Sequence, residues 1–283
     1  MAWAAAGLIA LGFIVGGFGT LIGAGGGFLL VPVLALLYPR DEPATLTGIS
    51  LLVVAANALS GSLAYTRMGR VDFRAGLWFA AAAVPGAVLG AWATTFISRR
   101  VFEGLLGSLM MAGAVLLLAR SHRAAAVAAG PESSHGLRAS APDAAPQPGD
   151  PARRPAAGDR RRLVRGMMLS FLVGVVSSLL GIGGGILHVP LLVEFLGYPV
   201  HVATATSHFV LAVTGWAGVA VHAWAGTYQH GLRRAALLAA GVIPGAQLGA
   251  LLSRRVDDRW ILRALAIALL LAGARVLAMG GTP

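Results

Sequence analysis

The sequence predicts an all-α polytopic membrane protein made of two homologous repeats, each with a broken first helix. Three observations predict it. Of 283 residues, 57% are hydrophobic and only 12% charged, and the mean hydropathy is +0.77, outside the range of soluble domains. Several apolar runs reach the roughly 18 residues that span a bilayer. A glycine-rich stretch occurs twice, GAGGGFLLVP from Gly23 and GIGGGILHVP from Gly181.

Taken in order, residues 3–38 would form a helix of roughly 50 Å, too long for a hydrocarbon core of about 30 Å. Gly23 to Gly27 is expected to break it, leaving a full-length piece and a half-helix over residues 28–37. Met1 precedes this run without a basic region, so the run reads as a retained helix and not a signal peptide. Spans are expected at residues 46–65, 75–96 and 101–118. Residues 121–162, rich in Ala, Pro, Arg, Gly and Ser, read as a disordered linker that its arginines place in the cytoplasm. The linker divides an N-terminal repeat, residues 1–120, from a C-terminal repeat, residues 163–283. Residues 163–197 repeat the length argument of the first segment, and spans follow at 202–225, 235–252 and 261–279. About 8 to 10 membrane segments result.

The repeat extends beyond the glycines. SLLVVAANALSG at 50–61 lies over SHFVLAVTGWAG at 207–218, and PGAVLGA at 85–91 over PGAQLGA at 244–250. Four crossings per half would make the halves parallel and an odd number would invert them. The loop arginines do not decide, and the broken first segments favour inversion.

Non-helical backbone at membrane depth is tolerated only where protein or a wet cavity satisfies it. A helix that begins after a glycine loop turns free N–H groups and a positive dipole end toward whatever lies in front. Gly25, Gly26, Gly27, Gly183, Gly184 and Gly185 are therefore candidates for a backbone anion site. Close packing is the alternative, and it is the expectation for the spaced pairs Gly12/Gly16, Gly19/Gly23, Gly86/Gly90 and Gly245/Gly249. Nucleotide binding does not fit, because no strand precedes the glycines and no Walker lysine follows. With no Cys, no H-E-x-x-H and no acidic pair at metal-ligand spacing, neither an enzyme, a cofactor nor a metal is expected. The net charge of +11 comes from arginines in loops and linker, which argues for topology and anionic lipid contact and against nucleic acid.

The paired G-x-G-G-G-x4-P segments, A-T-A-T-S at 203–207 with its weaker counterpart T-G-I-S at 47–50, and the PGA-x-LGA repeat resemble the TauE/SafE family of sulfite and organosulfonate permeases. The resemblance covers both halves and leaves out the linker. It implies an inner-membrane (cell membrane) multi-pass permease that moves small sulfur-containing anions, often outward. The chain departs from the family pattern in its linker, in Ile49, and in His188 and His208.

Few polar residues fall within the spans. Thr47, Ser50, Thr204, Thr206 and Ser207 are expected at helix starts level with the glycine loops, where they could donate to a sulfonate oxygen or simply cap and back-bond. Asn57 and Thr214 occupy equivalent places one turn deeper and read as cavity-facing. His188 and His208 adjoin repeat motifs and could supply charge or relay a proton, the alternative being a neutral, hydrogen-bonded imidazole. Glu194 is the third candidate for proton coupling, unless it lies at the interface near Tyr198. The reading is a secondary transporter working by alternating access, with an anion channel or a membrane scaffold or lipid-active protein as alternatives. Expected partners are a small anion, the bilayer, a coupling proton or sodium ion and, optionally, a second copy forming a homodimer.

Overall fold

The computed structural model describes residues 2–128, 160–253, 266–267, 269–271 and 273–278. All regular structure among them is helical. The first half contains α1 (Ala2–Ile22), α2 (Gly27–Leu37), α3 (Pro43–Arg67), α4 (Phe73–Ala93) and α5 (Arg99–Ala128). The second contains α6 (Arg160–Leu179), α7 (Gly185–Pro190), α8 (Val200–Trp224), α9 (Leu232–Leu252) and a last stretch, α10 (Leu269–Ala278). Five helices among the described residues are long and apolar enough to cross a bilayer: Trp3–Ile22, Pro43–Arg67, Phe73–Phe96, Val200–Trp224 and Leu232–Leu252. Gly27–Leu37, Val164–Leu179 and Leu269–Ala278 are apolar and shorter.

The breaks fall where the glycines lie, between α1 and α2 and between α6 and α7. Pro32 sits inside α2 without ending it. Pro190 instead hands α7 to a π-helical turn, Leu191–Phe195, whose longer register accommodates the missing N–H. The helix starts differ from expectation. Pro43 at the first position of α3 and Pro199 before α8 begin these helices earlier, so Thr47, Ser50, Thr204, Thr206 and Ser207 lie one to two turns inside and cap nothing there. Asp72 caps α4, its Oδ1 accepting from the Ala75 amide at 3.1 Å. The ends of the expected linker belong to helices, since α5 runs on to Ala128 and α6 begins at Arg160. The remaining linker residues, 129–159, lie outside the described residues, as does most of the first part of the last expected span.

Packing crosses between the halves. α1 lies along α9, and α6 along α4. The spaced glycines make these contacts: a Cβ at Gly12 or Gly16 would meet Leu238 or Val242 backbone, one at Gly245 or Gly249 the backbone of α1, and one at Gly86 or Gly90 that of α6. The close-packing expectation holds for those three pairs. Gly19/Gly23 differs, because Gly19 receives the Gly26 backbone of its own loop and Gly23 faces Thr204. Residue numbers rise together along α1 and α9 and along α4 and α6, so both pairs are parallel. α3 and α8, which pack at the centre, are antiparallel. Tyr228, after α8, donates to Gly48 O at the start of α3 (3.0 Å), and the Asp72 amide, after α3, donates to Thr206 in the first turns of α8 (3.1 Å). α5 and α10 also run antiparallel, Gly107 facing Leu277 and Gly113 facing Leu269. Leu77, Trp78, Trp92, Leu172, Trp216 and Leu251 are exposed on the outside, as a lipid-facing surface requires.

Candidate functional site

The two glycine loops share one conformation. Gly23, Gly25 and Gly26 have φ of 81, 77 and 80°, and Gly181, Gly183 and Gly184 have 66, 75 and 53°. Any other residue would incur about 1–2 kcal/mol at each such position. The loops cross at the centre of the bundle. A Cβ on Gly27 would lie 2.7 Å from the Gly181 and Ile182 carbonyl oxygens, and one on Gly185 would lie 2.8 Å from Ala24 Cα. Gly27 and Gly185 thus serve close backbone approach, while the left-handed glycines shape the turns.

The chain itself satisfies only part of this backbone. The Gly23 amide donates to Thr20 O, those of Ala24 and Gly25 to Gly19 O, that of Gly181 to Ser178 O, and that of Ile182 to Ser177 O. Among the described residues, the amides of Gly26, Gly27 and Phe28 and those of Gly183, Gly184 and Ile186 have no backbone acceptor. These six donors sit where α2 and α7 begin. Buried donors of this kind carry a free-energy penalty unless something polar meets them.

The candidate side chains sort into three groups. Ser50 is brought to the second loop, its buried Oγ donating to Gly181 O at 2.6 Å. Ser207 is equally buried, and its Oγ has no hydrogen-bond partner. Thr47 touches Gly181 but donates back to Pro43 O (2.9 Å) and Ala44 O (3.1 Å), and Thr214 donates back to Val210 O (3.0 Å). Thr206 is not at the loops, since its Oγ1 accepts the Asp72 amide at the start of α4. Such local bonds are the alternative that hydroxyls in helices always have.

Asn57 and His208 join one network with two residues that the sequence reading missed. Thr20 Oγ1 donates to Asn57 Oδ1 (3.0 Å) and lies 3.4 Å from His208 Nε2. Thr20 Oγ1 thus links Asn57 to His208, and the direction of its bond to the imidazole follows the tautomer. Among the described residues, neither Nδ1 of His208 nor Nδ2 of Asn57 has a hydrogen-bond partner of good geometry. Tyr65 donates to Thr20 O at 2.8 Å and meets the His208 ring edge-on at 5.6 Å. Thr20 is the one hydroxyl in α1, which was the available signal.

His188 is buried, and among the described residues neither ring nitrogen has a hydrogen-bond partner of good geometry. A Cβ on Gly184 would lie 3.3 Å from His188 Nδ1 and 3.0 Å from Ser177 Oγ, so the second loop, His188 and Ser177 adjoin. His222, a further missed residue, is buried with Nε2 3.5 Å from Thr47 Oγ1 and Nδ1 3.4 Å from Thr227 Oγ1. Glu194 falls in the π-helical turn, away from the loops in sequence. Among the described residues, no three His, Asp or Glu converge as metal ligands would.

Charged groups gather at the two ends of α3, a helix of 25 residues and so about 37 Å long. At its start, Arg99 bonds Glu103 and Asp41 O, each at 2.6 Å, and Ala35 O at 3.2 Å, closing the last turn of α2. Arg234 of α9 pairs with Asp41 at 2.5 Å and lies over Tyr38. An open groove of about 460 Å³ lies here, with Arg40, Glu42, Thr95 and Arg99 among its lining residues. At the other end, Tyr198 donates to Asp72 Oδ2 at 3.2 Å.

The sequence profile of a family described as "Sulfite exporter TauE/SafE" matches residues 8–276. The chain is similar to a "Probable membrane transporter protein YunE" of Bacillus subtilis, 30% identical over 96% of this chain and 97% of the relative. It is also similar to a "Probable membrane transporter protein MJ0441" of Methanocaldococcus jannaschii, 25% identical over 89% and 87% of the two chains. A "Probable membrane transporter protein" of Xylella fastidiosa (strain Temecula1) is 28% identical over 87% and 82%. No solved structure matches the chain significantly.

Proposed function

This chain belongs to the TauE/SafE family of membrane transporters, and we propose that it exports small sulfur-containing anions, sulfite or organosulfonates, by alternating access. It is a multi-pass protein of the cell membrane. The observation that carries the proposal is the crossing of the two glycine loops, with six amides at the starts of α2 and α7 that have no backbone acceptor among the described residues. Backbone N–H groups at helix starts suit the oxygens of a sulfonate or sulfite, and buried Ser207, Asn57, His188 and His208 each hold an unpartnered polar atom in the surrounding helices.

The halves are read as inverted repeats contributing 8 to 10 membrane segments. Support comes from direction: the corresponding helices α3 and α8 are antiparallel, as are α5 and α10, while each half's first helix lies parallel to the other half's fourth. Rocking of one half against the other about the crossed loops would expose the site to each face in turn. Coupling to a proton is assigned to His188 and His208, with Glu194 as a further candidate; sodium is the alternative ion. Binding and release without covalent change are all that this set of residues is asked to do.

Purified protein in liposomes should exchange radiolabelled sulfite or methanesulfonate with saturation, and Gly26→Val or Gly184→Val should abolish the exchange. Unsaturable flux, or flux indifferent to both substitutions, would overturn the loop site. For coupling, His188→Gln should change the pH profile of transport; an unchanged profile removes His188 from that role.

A further inference from the structure

The second glycine of each loop, Gly25 or Gly183, does not face a polar group. A Cβ on Gly25 would run into Leu211 Cδ2 and lie 3.4 Å from Val54 Cγ1, and one on Gly183 would run into Val54 Cγ1. Val54 and Leu211 are 0% and 2% exposed, and with Ala58 and Ala212 they form a separate small apolar cluster. Val54 comes from α3 and Leu211 from α8, at matching places in SLLVVAANALSG and SHFVLAVTGWAG. Residues four apart and seven apart share a helix face. On α3 that face reads Ser50, Val54, Asn57, and on α8 it reads Ser207, Leu211, Thr214. All four polar residues are buried. Each helix thus presents a polar strip interrupted once, by one branched side chain, at the level of the crossed loops. Since Ala58 and Ala212 add little bulk, Val54 and Leu211 are the large side chains of this cluster.

We propose that Val54 and Leu211 form a paired apolar constriction against Gly25 and Gly183, and that their volume limits the size of anion the transporter passes. This rests on the crossed loops being the anion site. A small oxyanion can pass when the two side chains part slightly, whereas a longer substituent needs more displacement. Discrimination per extra methylene in such an apolar slot is about 10-fold or more.

The test compares initial exchange rates of methanesulfonate and butanesulfonate in proteoliposomes. Val54→Ala with Leu211→Ala should raise the butanesulfonate-to-methanesulfonate ratio about 10-fold, while the volume-conserving exchange Val54→Leu with Leu211→Val keeps the wild-type ratio. A ratio that is unchanged in the alanine pair while transport persists would overturn the proposal. If the wild-type protein moves neither anion, the anion reading has failed, and a second measurement judges the constriction alone. The chain has no Cys, so Val54→Cys and Leu211→Cys each introduce a single thiol. Reaction with a charged, membrane-impermeant thiosulfonate from one face of the vesicles supports a constriction on a water-accessible path. Thiols at both positions that stay unreactive from both faces would assign the pair to ordinary core packing and end the proposal, and that arm also decides it should the alanine pair fail to fold.

Discussion

Replacing Gly183 with alanine separates two costs that the glycine loops avoid. The first is conformational: at φ 75° a Cβ costs about 1–2 kcal/mol. The second is steric, because that Cβ would overlap Val54 Cγ1 and sit 3.3 Å from Val54 Cβ; overpacking of this kind costs about 1–3 kcal/mol. Gly183→Ala should therefore destabilise the protein by about 2–5 kcal/mol. Gly197 is the control. Its φ is 71° and a Cβ there meets nothing within 4 Å, so Gly197→Ala should show the conformational cost alone, about 1–2 kcal/mol. Adding Val54→Ala to Gly183→Ala removes the overlap, so the double variant should be more stable than the two singles sum to, by about 1–3 kcal/mol. Folded fraction can be followed by tryptophan fluorescence during titration from mild detergent into dodecyl sulfate. The reasoning is refuted if Gly183→Ala is no worse than Gly197→Ala, or if the cycle shows no coupling.

Three further outcomes are expected. Ser50→Ala strips Gly181 O of its 2.6 Å partner and should cost about 1–3 kcal/mol, whereas Ser207→Ala, whose Oγ bonds nothing, should leave stability nearly unchanged in the same titration. Gly241→Ala would drive a Cβ into Ile9 O and should lower the yield of folded protein in detergent, while Gly104→Ala, with nothing within 4 Å, should stabilise α5 by about 0.5–1 kcal/mol. Cysteines at Asp41 and Arg234, or at Asp72 and Tyr198, joined by a reducible bifunctional thiol reagent clamp opposite ends of α3, so cross-linking either pair should stop exchange and reduction should restore it.

Much of the helix plan is legible in the sequence because it rests on length and on glycine. The broken segments follow from about 50 Å of apolar helix meeting about 30 Å of hydrocarbon, and Gly12/Gly16, Gly86/Gly90 and Gly245/Gly249 announce close helix contacts. Which helices meet is not legible, since α1 and the Val164–Leu179 stretch of α6 are predominantly apolar and nothing in their own pattern directs them to α9 and α4. The site is legible at its backbone and less so at its side chains. A hydroxyl such as Thr47 or Thr214 can turn back to its own helix at no expense in sequence pattern, and Thr206 is claimed by the Asp72 amide. Thr20, Tyr65 and His222 are not legible as site residues because each gains its role through a partner distant in the chain, as with Thr20 and His208, 188 residues apart, and His222 and Thr47, 175 apart.

The exchange of first helices between halves has a consequence for biosynthesis. α1 is made before α9, and the surface it packs on, around Leu238 and Val242, leaves the ribosome roughly 230 residues later, or roughly 10–45 s at usual elongation rates. Through that interval the surface that the glycine stripe of α1 meets in the finished fold does not yet exist. α6 waits differently, because α4 is already in the membrane when α6 arrives. The order of synthesis thus makes two structurally matched contacts unequal in time. A helix inserted late, α9, completes the packing of one inserted early.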